Sequence, residues 1–172
     1  MENIVDIIGD SKDWIVLNKP SGIPVFPPHR DANGDCVYHR LVDVFPGQEG
    51  VDWPVGFEGG ILHRLDIPTS GQLLVAKNLR ELHRLREKFR RKEFDKRYFF
   101  LTAKEVPWRE HFIETPIGHD KRKKGSMIVK RGKNTPHRGK WYPARTDFKN
   151  LGSHGTLQLW EAGMRSGVMH QI

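Results

Sequence analysis

The sequence predicts an α+β domain built largely on antiparallel sheet. Three observations carry this expectation. The apolar runs are short and bounded by Gly and Pro turns, only two segments have helical periodicity, and 172 residues suit one compact domain spanning 1–172.

Residues 14–18, WIVLN, read as a short buried strand, and Lys19-Pro20-Ser21-Gly22 as a turn with Pro at its second position. Over 35–45, Val37, Leu41, Val42 and Phe45 fall at helical spacing behind a Gly34-Asp35 start signal. Residues 47–60 are rich in Gly and Pro and read as loop, and 72–77, QLLVAK, as a strand. Asn78 can cap the clearest helix, with Glu81 three residues later in the manner of a capping box. Leu79, Leu82, Leu85 and Phe89 then share one face, with Arg84, Arg86, Lys88 and Arg91 largely off it. Residues 96–102, KRYFFLT, predict an aromatic-rich strand. Two more strands are expected at 142–149 and 156–161, joined by a loop with Gly152 and Gly155, and another begins at 168–172. The turn before the second predicted strand is expected at Pro68-Thr69-Ser70-Gly71.

Lys and Arg outnumber Asp and Glu, 29 to 21, for a net charge of +8, which suits an anionic partner, nucleic acid being the commonest. The basicity is regional. Between Lys121 and Lys140 stand nine basic residues and no acidic one, and between Arg84 and Arg97 eight against three. The first segment is poor in apolar residues and holds Gly125, Gly132 and Gly139, which predicts a solvated loop or hairpin. Its cations either remain solvated or contact phosphate, positioning a nucleic acid without reading its sequence.

The single cysteine, Cys36, excludes an internal disulfide and a Cys-rich zinc module, and points to a reducing compartment. No apolar run approaches the roughly 20 residues of a membrane span, and the N-terminus MENIVDIIGD carries acids where a signal peptide carries bases. The expectation is a cytoplasmic protein without a membrane partner. Phosphate-loop, dinucleotide-binding, nucleophile-elbow and H-E-x-x-H patterns do not occur, so neither metal nor cofactor is expected.

The chemistry-bearing segment is GGILHRLDIPTSGQLLVAK, residues 59–77. Asp66 sits in a loop fed by a buried strand, a suitable mount for a reactive carboxylate. If this stretch is extended, Arg64 and Asp66 project to the same side. An Asp before a turn also serves simply to bond backbone N–H groups, and the residues alone leave both roles open.

This segment resembles the signature of pseudouridine synthases in the branch acting on large-subunit ribosomal RNA and transfer RNA, H-R-L-D-x-x-T-S-G followed by an apolar strand ending in A-K. Here it stands as His63, Arg64, Leu65, Asp66, Thr69, Ser70, Gly71 and the strand to Lys77. WIVLNKPSGIPV at 14–25 is similar to the family's opening strand and N-K-P-x-G turn. KRYFFLT resembles its K-x-Y strand, and PIGHD with Ala144-Arg145-Thr146 its P-I…A-x-T hairpin region. SGVMHQI resembles its last signature, T-G-R-x-H-Q-I-R. The likeness runs from about residue 12 to the last, with no separate RNA-binding domain before it.

The resemblance implies a pseudouridine synthase-like catalytic domain with a mixed, mainly antiparallel sheet flanked by helices and loops. It implies a cofactor-free enzyme converting uridine to pseudouridine in structured RNA, ribosomal or transfer. Asp66 would be the essential carboxylate, as nucleophile at the sugar or as base in a glycal route. Tyr98 would stack on the target base and assist proton removal, and Arg64 would displace or replace the flipped-out nucleotide. His63, Lys19, Lys96 and Ile172 complete the expected substrate contacts, the two lysines toward phosphate. Lys121, Arg122, Lys123, Lys124, Lys130 and Arg131 would follow the RNA backbone.

The chain departs from the family pattern at Val168, where the last signature carries an Arg that pairs with the catalytic Asp. Arg165 lies three residues earlier, on the opposite face of a continuous strand. The match also stops inside that signature, as in a domain cut at its C-terminus. A terminal strand without neighbours would leave an open edge through which an otherwise monomeric protein could associate. Two alternatives to the enzyme stand beside it: an RNA-binding relic of the same fold, and a basic structural domain with no RNA role.

Overall fold

The computed structural model describes residues 6–27, 32–103 and 105–171. The chain divides into two compact units, Met1–Arg91 and Lys92–Ile172. It is α+β, and every strand pairing among the described residues is antiparallel.

The first unit holds a three-stranded sheet in the order β1 (Asp6–Asp10), β2 (Trp14–Lys19), β3 (Gly71–Ala76). β1 carries no clear alternation and was not expected from sequence. Along β2 the side chains alternate, burying Ile15, Leu17 and Lys19. Together with Leu73 and Val75 of β3 these build the core of the unit, joined by Leu41 of helix α1 (Val37–Val44) and Leu82 and Leu85 of helix α2 (Leu79–Arg90).

Both helices form where the periodicity places them. α2 is capped as expected, the Asn78 side chain accepting from the Glu81 N–H at 2.9 Å. Leu79, expected on the inner face, is instead exposed, and Phe89 is half-buried. The start signal of α1 shifts by one residue: Cys36 caps it, its Sγ accepting from the His39 N–H at 3.5 Å. Asp35 pairs instead with the Arg40 guanidinium at 2.7 and 2.5 Å.

Between the helices the loop at 47–60 is partly ordered into two short 3-10 turns, Pro46–Gln48 and Glu58–Gly60. The buried Gln48 amide donates to the carbonyls of Gly59 and Ala76, both at 2.8 Å. Gly60 has φ of 76°, and a Cβ there would lie 2.1 Å from the Ala76 carbonyl oxygen. Glycine is therefore required where the chain turns toward the H-R-L-D segment.

In the second unit the sheet order is β4 (Lys96–Thr102), β10 (Leu157–Met164), β9 (Arg145–His154), β5 (Glu110–Glu114). Trp160 of β10 is buried, edge-on to Trp108 at 4.7 Å, and its Nε1 donates to the Thr102 hydroxyl. β9 and β10 are longer than the runs expected at 142–149 and 156–161, and turn tightly at Gly155 (φ 57°). A separate three-stranded sheet, in the order β7 (Met127–Val129), β6 (Ile117–Asp120), β8 (His137–Tyr142), holds much of the basic segment.

The strand expected at 168–172 does not form within the described residues. Val168 and Gln171 instead close a turn, Gln171 N–H donating to the Val168 carbonyl at 3.1 Å. Among the described residues no helix is long and apolar enough to cross a membrane.

Replacing Gly60 by Ala combines a disfavoured positive φ with a backbone clash, and is expected to lower the unfolding free energy by roughly 2–4 kcal/mol. A urea titration of Gly60→Ala tests this, and an unchanged midpoint would contradict the close approach described here.

Candidate active site

The H-R-L-D segment enters alongside β3. Ile61 forms an isolated bridge with Val75, and Leu62 N–H donates to the Leu74 carbonyl at 2.9 Å. Beyond it the chain alternates: Arg64 is exposed, Leu65 buried and Asp66 exposed. Arg64 and Asp66 therefore face solvent together, with Leu65 as the anchor between them. Among the described residues no hydrogen bond reaches the Asp66 carboxylate.

The turn is placed two residues earlier than expected. It runs Asp66-Ile67-Pro68-Thr69, closed by Thr69 N–H donating to the Asp66 carbonyl at 3.0 Å, and Gly71 already begins β3. The bend thus starts at the candidate carboxylate itself.

That turn is clamped from the Lys19-Pro20-Ser21-Gly22 segment. Lys19 Nζ donates to the carbonyls of Ile67 (3.2 Å), Thr69 (2.8 Å) and Pro20 (2.9 Å). The Ser21 hydroxyl donates to the Pro68 carbonyl at 2.8 Å, and Gly22 N–H to the Ile67 carbonyl at 2.8 Å. Two signatures nearly fifty residues apart in sequence therefore make one structure.

This arrangement corrects the role expected of Lys19. Its side chain is only 1% exposed, and its three protons are committed to carbonyls inside the protein, so none is offered to phosphate. Burial lowers its pKa from the ordinary lysine value, and the negative charge of Asp66 works in the opposite direction. His63 is half-buried beside this turn. Its Nε2 accepts from Leu74 N–H at 3.4 Å, and its ring lies 5.5 Å from that of Phe89.

The remaining expected residues belong to the second unit. Tyr98 and Lys96 are half-buried on one face of β4, with exposed Arg97 between them. Burial lowers the Lys96 pKa, and its ammonium sits where a side chain at Gly167 would begin. Arg165 is paired with Asp95 at 2.8 Å, so its guanidinium is engaged away from position 168. Ile172 lies outside the described residues.

Gln171 was missed from sequence. Its side-chain oxygen accepts from the Ser166 hydroxyl and from Val168 N–H, and its nitrogen donates to the Arg145 carbonyl and the Thr146 hydroxyl, each of the last two at 3.0 Å. It ties the end of the chain to the A-x-T segment opening β9. Thr146 is itself buried, and a polar side chain at a buried strand position is the signal that it has a partner.

Among the described residues the cations of 121–140 take part in no ion pair. The arginines of α2 differ: Arg84 is bidentate on Glu81, and Arg90 and Arg91 share Glu87, whose pKa they lower to about 2.

Fold and site together define an α+β protein with a solvent-facing carboxylate on a braced turn. The family model described as RNA pseudouridylate synthase matches residues 13–172, and the chain belongs to that family. It is 32% identical over 171 residues to the uncharacterized RNA pseudouridine synthase YlyB of Bacillus subtilis, covering 98% of this chain and 52% of that protein. It is 32% identical over 169 residues to ribosomal large subunit pseudouridine synthase D of Neisseria meningitidis, covering 98% of this chain and 41% of the relative. Human RNA pseudouridylate synthase domain containing 1 has the same fold, with a TM-score of 0.75 at 22% identity over 99% of this chain and 65% of that one. The chain spans about half the length, or less, of the curated relatives it matches.

Lys19→Met keeps the bulk of the side chain and removes its three donors. It is expected to cost about 2–4 kcal/mol of stability, because carbonyls in the brace lose a charged partner. Thermal or urea unfolding of the purified variant measures this, and a wild-type midpoint would show that the turn does not depend on Lys19.

Proposed function

We propose that residues 1–172 form a catalytic domain of an RNA pseudouridine synthase that isomerises specific uridines in ribosomal or transfer RNA, with Asp66 as the essential carboxylate. One observation carries this reading: the H-R-L-D signature presents Asp66 exposed, with no hydrogen bond to its carboxylate among the described residues, on a turn braced by four bonds from the N-K-P-S-G segment. A reactive carboxylate needs this combination, since its oxygens must be open to substrate while its backbone is held still.

The reaction exchanges one glycosidic bond for another. The bond from uracil N1 to ribose C1′ breaks, the base turns, and C5 bonds to C1′. The C5 proton leaves and N1 regains one, so atoms and electrons balance within the nucleotide and no redox partner or group donor is consumed. Two routes use the same carboxylate: attack on C1′ as a nucleophile, or removal of a ribose proton to give a glycal.

A base inside a stem must leave its stack before this chemistry, and Arg64, exposed beside Asp66, suits the task of replacing it. The family likeness assigns Tyr98 to stacking on the uracil and assisting proton removal, and Lys96 to phosphate. Lys121, Arg122, Lys123, Lys124, Lys130 and Arg131 then follow the RNA backbone, which their freedom from ion pairs supports. Val168 stands in place of the family's arginine, and in this reading Lys19 supplies the positive charge that acts on Asp66.

Asp66→Asn preserves shape and removes the charge. It is expected to abolish pseudouridine formation, mapped in ribosomal and transfer RNA, while RNA affinity stays within a few-fold of wild type; retained turnover would overturn the assignment. Gln at Lys121, Lys123 and Lys124 together is expected to weaken RNA binding and to flatten the slope of log K against log salt by about 2–3. An unchanged slope would remove these residues from the phosphate path.

A further inference from the structure

The structure assigns to the β6–β8 sheet a contact that net charge does not describe. We propose that His137, Trp141 and Lys130 form a stacking platform for one unpaired RNA base, resting on the reading above that this chain takes RNA.

Two ring-bearing residues four apart on a regular strand would stand roughly 13 Å from each other. Here the rings of His137 and Trp141 are stacked, with centroids 4.2 Å apart and planes at 28°. The cause lies in β8. Its register against β6 shifts between Ile117 and His119, whose partners are Tyr142 and Arg138, and Gly139 takes φ of 68°. The resulting bulge folds the strand back enough to bring the rings together.

Gly118 on β6 completes the arrangement. A Cβ there would come within 2.9 Å of the Trp141 ring, so its absence lets the indole lie against the strand. Lys130 Nζ stands 5.9 Å from the Trp141 ring centroid, and Lys140 Nζ 5.2 Å from that of Tyr142. His137 and Trp141 are both half-buried, so part of each ring stays open to solvent.

The charge around the rings selects the partner. The segment carries nine cations and no acid between Lys121 and Lys140. Asp120, cross-strand from His137, borders the segment, and one of its carboxylate oxygens accepts from Arg122 N–H at 2.7 Å. A stack of two aromatic rings amid cations that form no ion pair among the described residues matches a strand that offers phosphates and flat bases at once, and every base has a π face to add to the stack. In a duplex those faces are already covered by neighbouring bases, so the platform suits an unpaired nucleotide beside a stem.

The test uses the full chain and intrinsic tryptophan fluorescence with three 12-nucleotide probes: an unstructured single-stranded RNA, a blunt RNA duplex, and an abasic ribose-phosphate strand. The single strand is expected to quench fluorescence and to bind roughly 5- to 150-fold more tightly than the abasic strand, the range one base–aromatic stack is worth. Trp141→Ala should lose a similar factor toward the single strand with an unchanged salt slope. Trp141→Phe, which keeps a ring and guards against misfolding, should retain affinity within a few-fold but lose the Trp141 share of the quench.

Equal affinity for the abasic strand, an equal quench by the duplex, or wild-type affinity in Trp141→Ala would overturn the platform. Displacement of the single strand by poly-glutamate at equal charge concentration would also overturn it, in favour of an acidic protein partner. No turnover enters these measurements, so they stand apart from the functional reading. Absent pseudouridine formation with an intact quench would sink that reading alone, and the reverse pattern would sink the platform alone.

Discussion

A buried ammonium is costly to hold in a protein interior unless each of its protons finds an acceptor. Lys19 meets that condition through its position. Antiparallel pairing of β2 with β3 sets Lys19 opposite Gly71, and the residues just before Gly71 bend so that their carbonyls converge on Nζ. The ammonium is tolerated because the turn exists, and the turn keeps its shape because the ammonium fills it. The candidate carboxylate, the opening strand and the first sheet therefore form one cooperative element. The nearby charge of Asp66 offsets part of the penalty of burying Lys19.

Much of the fold was legible from periodicity and turn residues, since Trp14–Lys19, Gly71–Ala76 and the capped helix Leu79–Arg90 each announce themselves locally. Residue type points Lys19 outward, but strand parity decides its direction. Ile15 and Leu17 point inward, and the same alternation carries Lys19 inward after them. The bond from Leu74 N–H to His63 depends on a strand pairing that spacing does not reveal. The segment after residue 167 has the composition of a strand yet turns, because Gln171 makes side-chain bonds to β9 that no local signal predicts. Proline commonly opens a bend, yet Pro68 occupies the third position of the turn at Asp66, which therefore lies two residues earlier than its composition suggests.

The two basic segments are alike in composition and different in electrostatic effect. On α2 the glutamates lie three and four residues from the arginines, so the helix neutralises its own cations at short range. The β6–β8 region has no such internal partners among the described residues, and its field extends into solvent. Counting charge along the sequence weights both equally, whereas pairing geometry decides which one projects its field into solvent.

The bonds that brace the Asp66 turn all end on main-chain carbonyls, those of Ile67, Pro68 and Thr69. The clamp is therefore indifferent to which side chains the turn carries. Ile67, at 52% exposure, can be exchanged during evolution without loosening the carboxylate's mount. Such a division lets one scaffold diversify the surface next to a fixed carboxylate, so that side-chain chemistry and positional rigidity can evolve on separate atoms of the same four residues.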